Sequence, residues 1–391
     1  MKILNKLKTI SVKNQLFLVA FALLVISANF RYTTFPHTFA GFTKVCVVLE
    51  YFSILLVVGK TLFLDNLTRK QKVIFVVIGL LLVISAKISK SHDLVNSYFF
   101  ICASTGISLR KIFKTSFVYM TIALVFTVVA ALSGLIINLI YVRNGIFRFS
   151  LGEGYTTVLS SIIFFILASI AAFNLASRNK KTIIMIFSLI FLLSFVVYQI
   201  TDTRTDLICM LLLSFVTLWR YYGNFLKNKF VRGFILISPA LVFLWTLISA
   251  YFFNPQSEAW QKLNQLFSNR LSLVSEATIK YPIKFLGRYI VEHGNGNSLK
   301  PVLHYFYIDS SFSRVLFLNG LFAFIFLYIV IQFAFYLIIK KNQPLYTALS
   351  LILVIIFIEG TFSSMILSVG FNSILFILNI ILSKKGTLTY D

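Results

Sequence analysis

The sequence predicts an all-α polytopic membrane protein with about twelve transmembrane helices and one large outer loop that contains an amphipathic helix. Three observations carry this reading. Hydrophobic residues make up 59% of the chain and charged residues only 12%, where a soluble domain carries roughly a quarter charged residues. The apolar residues fall in blocks about as long as a bilayer is thick, since a span needs roughly 20 of them; 183–200 holds no ionisable group except Tyr198. Lys and Arg sit at the ends of these blocks, mostly on alternate sides, which is the pattern that orients membrane helices. This composition excludes a soluble enzyme. The net charge of +24 is spread over block ends and is not gathered on one face or tail, so it does not point to nucleic acid.

The expected spans are 15–31, 39–59, 72–88, 94–109, 116–141, 155–176, 182–200, 206–220, 233–252, 312–339, 345–358 and 366–382. Lys2, Lys6, Lys8 and Lys13 precede the first block, and with no small-x-small cleavage site behind it we expect a retained helix rather than a signal peptide. With the N-terminus inside, every inner segment is basic. These segments carry Lys60, Arg69, Lys70 and Lys72; Arg110, Lys111 and Lys114; Arg178, Lys180 and Lys181; Arg220, Lys227, Lys229 and Arg232; Lys340 and Lys341; and Lys384 and Lys385. The short outer loops hold fewer: Arg31, Lys87, Lys90, Arg143, Arg148 and Arg204. Both termini are therefore expected on the cytoplasmic side of an inner membrane. The chain divides into helices over 1–252, an outer loop over 253–311, and the last helices with a short tail over 312–391. No internal repeat or matched pair of broken helices marks it as a repeat-built transporter.

The outer loop is long enough to carry function or structure of its own. Trp260, Leu263, Phe267, Leu271 and Val274 recur at three- and four-residue steps, the mark of one amphipathic helix lying in the membrane interface. Glu276 and Lys280 are spaced to pair on it, and Tyr281-Pro282 should end it. Gly294, Asn295, Gly296 and Asn297 form a flexible stretch, and a polar-aromatic run from His304 leads into the next span.

Arginine on the disfavoured side is the main chemical signal. Arg143, Arg148, Arg204, Arg270, Arg288 and Arg314 all map outside, and a guanidinium fork suits phosphate; lipid headgroups or local acids are the plainer partners. Asp202-Thr203-Arg204-Thr205-Asp206 at the mouth of the eighth span reads as a substrate-phosphate site or a structural ion cluster. Asp309 reads as a hydroxyl acceptor or a helix N-cap. Glu50, Lys44 and Glu359 read as functional groups or ion-pair partners of other helices. His37, His92, His293 and His304 lack metal-ligand spacing, and no phosphate-binding glycine loop or G-x-S-x-G elbow is present, so no metal or other cofactor is expected. Cys46, Cys102 and Cys209 sit in or at the edge of apolar blocks, against a disulfide framework.

Several stretches taken together resemble the Wzy-type repeat-unit polymerases of capsular polysaccharide, exopolysaccharide and O-antigen. They are "RNGIFRFSLG" from Arg143 to Gly152, Thr203-Arg204-Thr205, "LFSNRL" from Leu266 to Leu271, Phe285-Leu286-Gly287-Arg288, and "YIDSSFSRVLFLNGLFAF" from Tyr307 to Phe324, with Glu359 and Asn372 near the C-terminus. Gly152-Glu153-Gly154-Tyr155 departs from the family's pattern, in which Phe and His-Pro-Asn often follow the first glycine.

The resemblance implies a metal-independent glycosyltransferase. A glycan on undecaprenyl pyrophosphate is the donor, a lipid-linked repeat unit is the acceptor, and undecaprenyl pyrophosphate leaves. It implies Arg204, Arg270 and Arg288 converging on the leaving group, with Asp309 or His304 on the attacking hydroxyl. Arg143, Arg148 and Arg314 would bind substrate, and Trp260 with Phe267 would guide the lipid tails. Membrane lipid, a flippase and a chain-length regulator are the expected partners, with no nucleic acid. The rival readings are an O-antigen-ligase-like transferase, which shares the layout and the donor, and a flippase or transporter, which the long outer loop disfavours.

Overall fold

The computed structural model describes residues 2–177, 179–222, 224–294, 304–383 and 389–390. Arg178, Lys384, Lys385 and the 295–297 part of the glycine-rich stretch lie outside the described residues, as do the side chains of Lys2, Lys6, Lys8 and Arg220.

The described chain runs α1 (Lys2–Arg31), α2 (Phe35–Thr38), α3 (Phe42–Gly59), α4 (Arg69–Ser89), α5 (Asp93–Ala103) and α6 (Leu109–Leu132). A hairpin of β1 (Ile140–Arg143) and β2 (Ile146–Phe149) follows. Then come α7 (Thr156–Asn174), α8 (Lys180–Thr201), α9 (Arg204–Tyr222), α10 (Lys229–Tyr251), α11 (Glu258–Leu266), α12 (Arg270–Lys280), α13 (Ser311–Arg314), α14 (Gly320–Lys340) and α15 (Pro344–Glu359). Among the described residues, 8 helices are long and apolar enough to cross a membrane. The protein is a helical membrane protein, as its composition demands.

Four of the expected twelve spans differ from simple apolar helices. The 94–109 block yields an 11-residue helix, and the 345–358 block one of 16 residues, both shorter than the roughly 20 residues a bilayer requires. The 206–220 block has the length but opens on Arg204 and Asp206. The 366–382 block contains only a 9-residue 3-10 helix, Ser373–Ile381. Hydropathy counts apolar residues without knowing whether they face lipid or protein; the 345–358 and 366–382 segments face protein almost throughout, whereas α9 still exposes Ile208, Leu212 and Phe215. From Gly360 to Phe371 the backbone is irregular and largely buried, which hydrocarbon does not tolerate unless the polar groups are bonded within the protein. Side chains of neighbouring helices supply those bonds. Ser97 donates to the Leu367 carbonyl at 2.6 Å and accepts the Val369 N–H at 3.0 Å. Asn372 donates to the Ile366 carbonyl at 2.8 Å, and Ser311 to the Ser363 carbonyl at 2.6 Å.

The fifth span also ends early. Helix α6 stops at Leu132, and the chain then makes a β-hairpin that an all-α expectation does not contain. Asn144 and Gly145 sit at its tip with φ of 52° and 79°. That is the Asn-Gly pair that a two-residue hairpin turn selects.

Helix α7 is central: 72% of its apolar window is buried, against 28% for α8. Its small residues Ser160, Ser161, Ala168, Ser169, Ala171 and Ala172 are all buried, which lets neighbouring backbones come close. The first turn of α6 is capped from far along the chain. The Leu109 and Arg110 N–H groups donate to the Thr389 and Tyr390 carbonyls at 2.8 and 3.1 Å, and Ser108 Oγ donates to Tyr390 at 2.9 Å.

The loop after α10 does not hold the single amphipathic helix expected. Ser268 and Asn269 take positive φ, 53° and 63°, and divide it into α11 and α12. The Asn264 side chain caps α12 by accepting the Leu271 and Ser272 N–H groups at 3.1 and 3.2 Å. Helix α12 ends at Lys280, before Tyr281-Pro282. It buries Leu271, Val274 and Ala277, whereas α11 buries nothing. Further on, Gly287 and Gly320 meet back to back, both with positive φ. A Cβ on Gly287 would lie 1.9 Å from the Leu318 carbonyl oxygen, and one on Gly320 would lie 2.2 Å from the Gly287 nitrogen. Neither position admits a side chain, and the loop is clasped to the start of α14.

Candidate functional site

A polar cavity of about 660 Å³ lies at one end of the bundle. Tyr32 just past α1, Thr157, Val158 and Ser161 at the start of α7, Thr205 and Asp206 at the start of α9, and Glu359 at the end of α15 all line it. The other ends of these helices lead to Lys13, Lys180 and Lys181, Lys227, and Lys340 and Lys341. The cavity thus faces away from the lysine-rich end.

The hairpin forms one wall with inverted amphipathicity. Ile140, Val142, Phe147 and Phe149 are exposed, while Arg148 is buried and Arg143 half-buried. Strand alternation sends the apolar set outward and the arginines inward. Both arginines meet the C-terminal end of α8, where helix carbonyls lack partners. Arg143 pairs with the Asp202 carboxylate and donates to its carbonyl at 2.8 Å. Arg148 Nε donates to the Thr201 carbonyl at 2.7 Å, and its guanidinium lies 5.8 Å from the Tyr155 ring. Burial lowers the proton affinity of Arg148, yet a guanidinium remains charged in proteins. Among the described residues, it has no carboxylate partner.

The opposite wall comes from α12 and the segment before α13. Arg270 Nε meets Asp309 Oδ2 at 3.2 Å. Burial pushes the Asp309 carboxyl up, while Arg270 and Arg314 oppose that shift. Glu292 accepts the Ile308 N–H at 2.9 Å and Arg314 Nη1 at 2.7 Å. Burial also raises the Tyr305 and Tyr307 phenols, which keeps them as neutral donors on the lining. On the floor, Ser160 bonds the Asp206 carboxylate, and Ser161 donates to Glu359 Oε1 at 3.0 Å.

This geometry redraws the arginine site. Arg143, Arg148 and Arg270 line the cavity with Asp206, Glu292, Asp309 and Glu359. Arg204 and Arg288 do not. Arg204 is exposed, turned away by the helical phase of α9, which directs Asp206 inward. The Arg288 N–H serves the glycine clasp, donating to the Leu318 carbonyl at 2.9 Å, and its guanidinium lies 5.8 Å from the Tyr281 ring. The expected convergence of Arg204, Arg270 and Arg288 is therefore not formed. Arg314 stands behind the lining, paired with the lining residue Glu292, and His304 is exposed and off the lining. Trp260 belongs to an aromatic group with Trp245 and Phe253, at ring distances of 6.4 and 5.8 Å. Glu50 is an ion-pair partner of Arg31 and accepts from Asn96 at 2.6 Å, while Lys44 is exposed. Sequence reasoning missed Glu292, Tyr155, Tyr305 and the two serines; a pair of hydroxyls inside an otherwise apolar helix was the available signal for the serines.

Among the described residues, no three His, Cys, Asp or Glu side chains are placed to hold a metal ion. The three cysteines are free. Fold and cavity together define a multi-pass helical membrane protein with a charged, partly enclosed chamber at one end. Comparison with protein-family models, with curated proteins and with solved structures finds no match.

Proposed function

We propose that the chain is a polysaccharide polymerase of the bacterial cytoplasmic membrane. It joins oligosaccharide repeat units carried on undecaprenyl pyrophosphate by transferring the growing chain to the next unit. One observation carries the reading: three arginines from two separate segments meet four acids and four tyrosines in one chamber, whose lining residue Phe362 packs on Phe267 and through it on the Trp245–Trp260 aromatic group. A glycan transfer between lipid carriers needs these parts. Guanidinium forks meet the pyrophosphate, carboxylates and hydroxyls bind sugar hydroxyls, and aromatic faces take sugar rings or polyprenyl chains. The lysine-rich end sits on the cytoplasmic side, so the chamber opens on the outer face.

The test is reconstitution. Purified protein in lipid vesicles, given the lipid-linked repeat unit extracted from cells that accumulate it, should produce a ladder of longer lipid-linked glycans. The ladder should persist in excess chelator. Transfer of glycan only to a different acceptor, or movement of the unit across the bilayer without extension, would overturn the polymerase reading.

A further inference from the structure

Most acids around the chamber are neutralised by a neighbouring cation. Asp309 meets Arg270, Glu292 meets Arg314, and Asp202 meets Arg143. Asp206 and Glu359 stand apart: among the described residues neither forms an ion pair. They come from the first turn of α9 and the last residue of α15, and adjacent serines of α7 hold them. Ser160 donates to Asp206, and Ser161 donates to Glu359 at 3.0 Å. Both carboxylates are almost fully buried, at 3% and 1% exposure. Glu359 feels the Asp206 charge. Its Oε2 makes no hydrogen bond, although the residue lines the chamber. The other ionisable groups facing the pair are Arg270 from α12 and Cys209 from α9, and the polar neighbours are Thr203 and Ser363.

For two carboxylates bonded to adjacent serines of one helix, buried and without an ion-pair partner among the described residues, one proton shared between them is the stable arrangement. We propose that Asp206 and Glu359 form a proton-holding pair in which Glu359 is the catalytic base for glycan transfer, a role that rests on the polymerase reading above. The acceptor sugar hydroxyl forms the new bond to the donor's anomeric carbon. The bond from that carbon to the pyrophosphate oxygen breaks, and its electron pair leaves with the pyrophosphate. The hydroxyl proton passes to the Glu359 carboxylate. The pair begins with one proton and one negative charge, becomes neutral on accepting the second proton, and returns it to water after product departs. Asp206 is a positioning residue that acts through Glu359. Asp309 is the weaker candidate because Arg270 already occupies its charge, and exposed His304 is off the lining.

The experiment compares parent protein, Glu359→Gln, Asp206→Asn and Ser161→Ala in lipid vesicles, with the extracted lipid-linked repeat unit as probe. Glu359→Gln should keep the parent's accumulation and KM and lose about 100-fold or more in kcat. It should also lose the acid limb of the pH–rate profile. Asp206→Asn and Ser161→Ala should each lose about tenfold, in kcat rather than KM, less than the roughly 100- to 10,000-fold that a general acid or base itself contributes, as positioning residues should. Infrared difference spectroscopy, run in a Glu153→Gln background to remove that buried carboxyl's own band, reads the shared proton without turnover: a protonated-carboxyl band at neutral pH should be present in the parent and absent from both acid variants. Parental kcat and pH profile in Glu359→Gln would overturn the catalytic role, and a band unchanged in both acid variants would overturn the pair. A parent that never extends glycan yet shows the band, lost in both variants, refutes the polymerase reading and leaves the shared proton standing.

Discussion

The two ends of the bundle carry positive charge in different ways. At the lysine-rich end, Lys111, Lys114, Lys180, Lys181 and Lys229 are exposed, and their ammonium groups stay in water or among headgroups. At the chamber itself the cations are arginines, buried or half-buried: Arg143, Arg148 and Arg270 line it with Arg314 behind them, and Arg143, Arg270 and Arg314 each touch a carboxylate. A point charge that remains hydrated orients a helix and needs no partner. A guanidinium withdrawn from water needs hydrogen-bond acceptors in fixed places, and the folded chain provides them. Lys60, buried against Asp65 at 2.8 Å, is the exception at the lysine-rich end; among the described residues its exposed lysines stand without partners of that kind, and at the other end the charge is part of a built site.

The largest effect that tests this contrast is at Arg270. Arg270→Ala should leave Asp309 without its cation and lower polymer formation by about 100- to 1,000-fold, the loss typical of one electrostatic stabiliser. Arg270→Lys should recover little, because an ammonium does not reproduce the fork. The readout is glycan ladder length beside an immunoblot for protein level. Full-length polymer from Arg270→Lys would erase the distinction between the two kinds of cation.

An intermediate effect is expected at Glu153, between β2 and α7. It is buried at 1% exposure, its Oε2 makes no hydrogen bond, and burial alone pushes its carboxyl up to about 8. The folded protein therefore holds a proton that the unfolded chain releases at ordinary carboxylate pH. Stability should fall as pH rises from the unfolded value of about 4.5 and level off above about 8. Glu153→Gln should melt at a higher temperature than the parent at pH 8.5, with the gap closing near pH 5. An equal gap at both pH values would show that the carboxyl does not titrate as its burial demands.

The smallest effect belongs to the lysine-rich end. Lys111→Ala with Lys114→Ala removes two exposed charges and should change stability by less than about 0.5 kcal/mol per site, with polymer length unaltered. Shortened polymer from this double variant would contradict the division of labour between the ends.

The long apolar helices and the unusual outward arginines are legible in the sequence, because both follow from local composition. The chamber is less legible. Arg148, Arg270, Asp206 and Glu359 meet only through tertiary packing, and no spacing rule links a hairpin, two helix starts and a helix end. Arg204 and Asp206, two residues apart on one helix, illustrate the limit: the motif is visible, but the phase that sends one side chain to the cavity and the other outward is set by packing against α7 and α15. The hairpin was within reach, since Asn144-Gly145 is a strong turn signal. The irregular 360–372 segment was not, because side chains distant in sequence, among them Asn29, Ser97 and Ser311, make its backbone tenable at that depth.

The cap on α6 has a consequence for biosynthesis. Ser108 and its acceptor at Tyr390 are 282 residues apart, so α6 leaves the ribosome and enters the bilayer long before its first turn finds the carbonyls that complete it. Until then water or lipid headgroups must occupy those N–H groups. The docking of Thr389 and Tyr390 is thus a late assembly step that tells a finished bundle from a merely inserted one. A protease cut just before Thr389 would report which of the two a membrane contains.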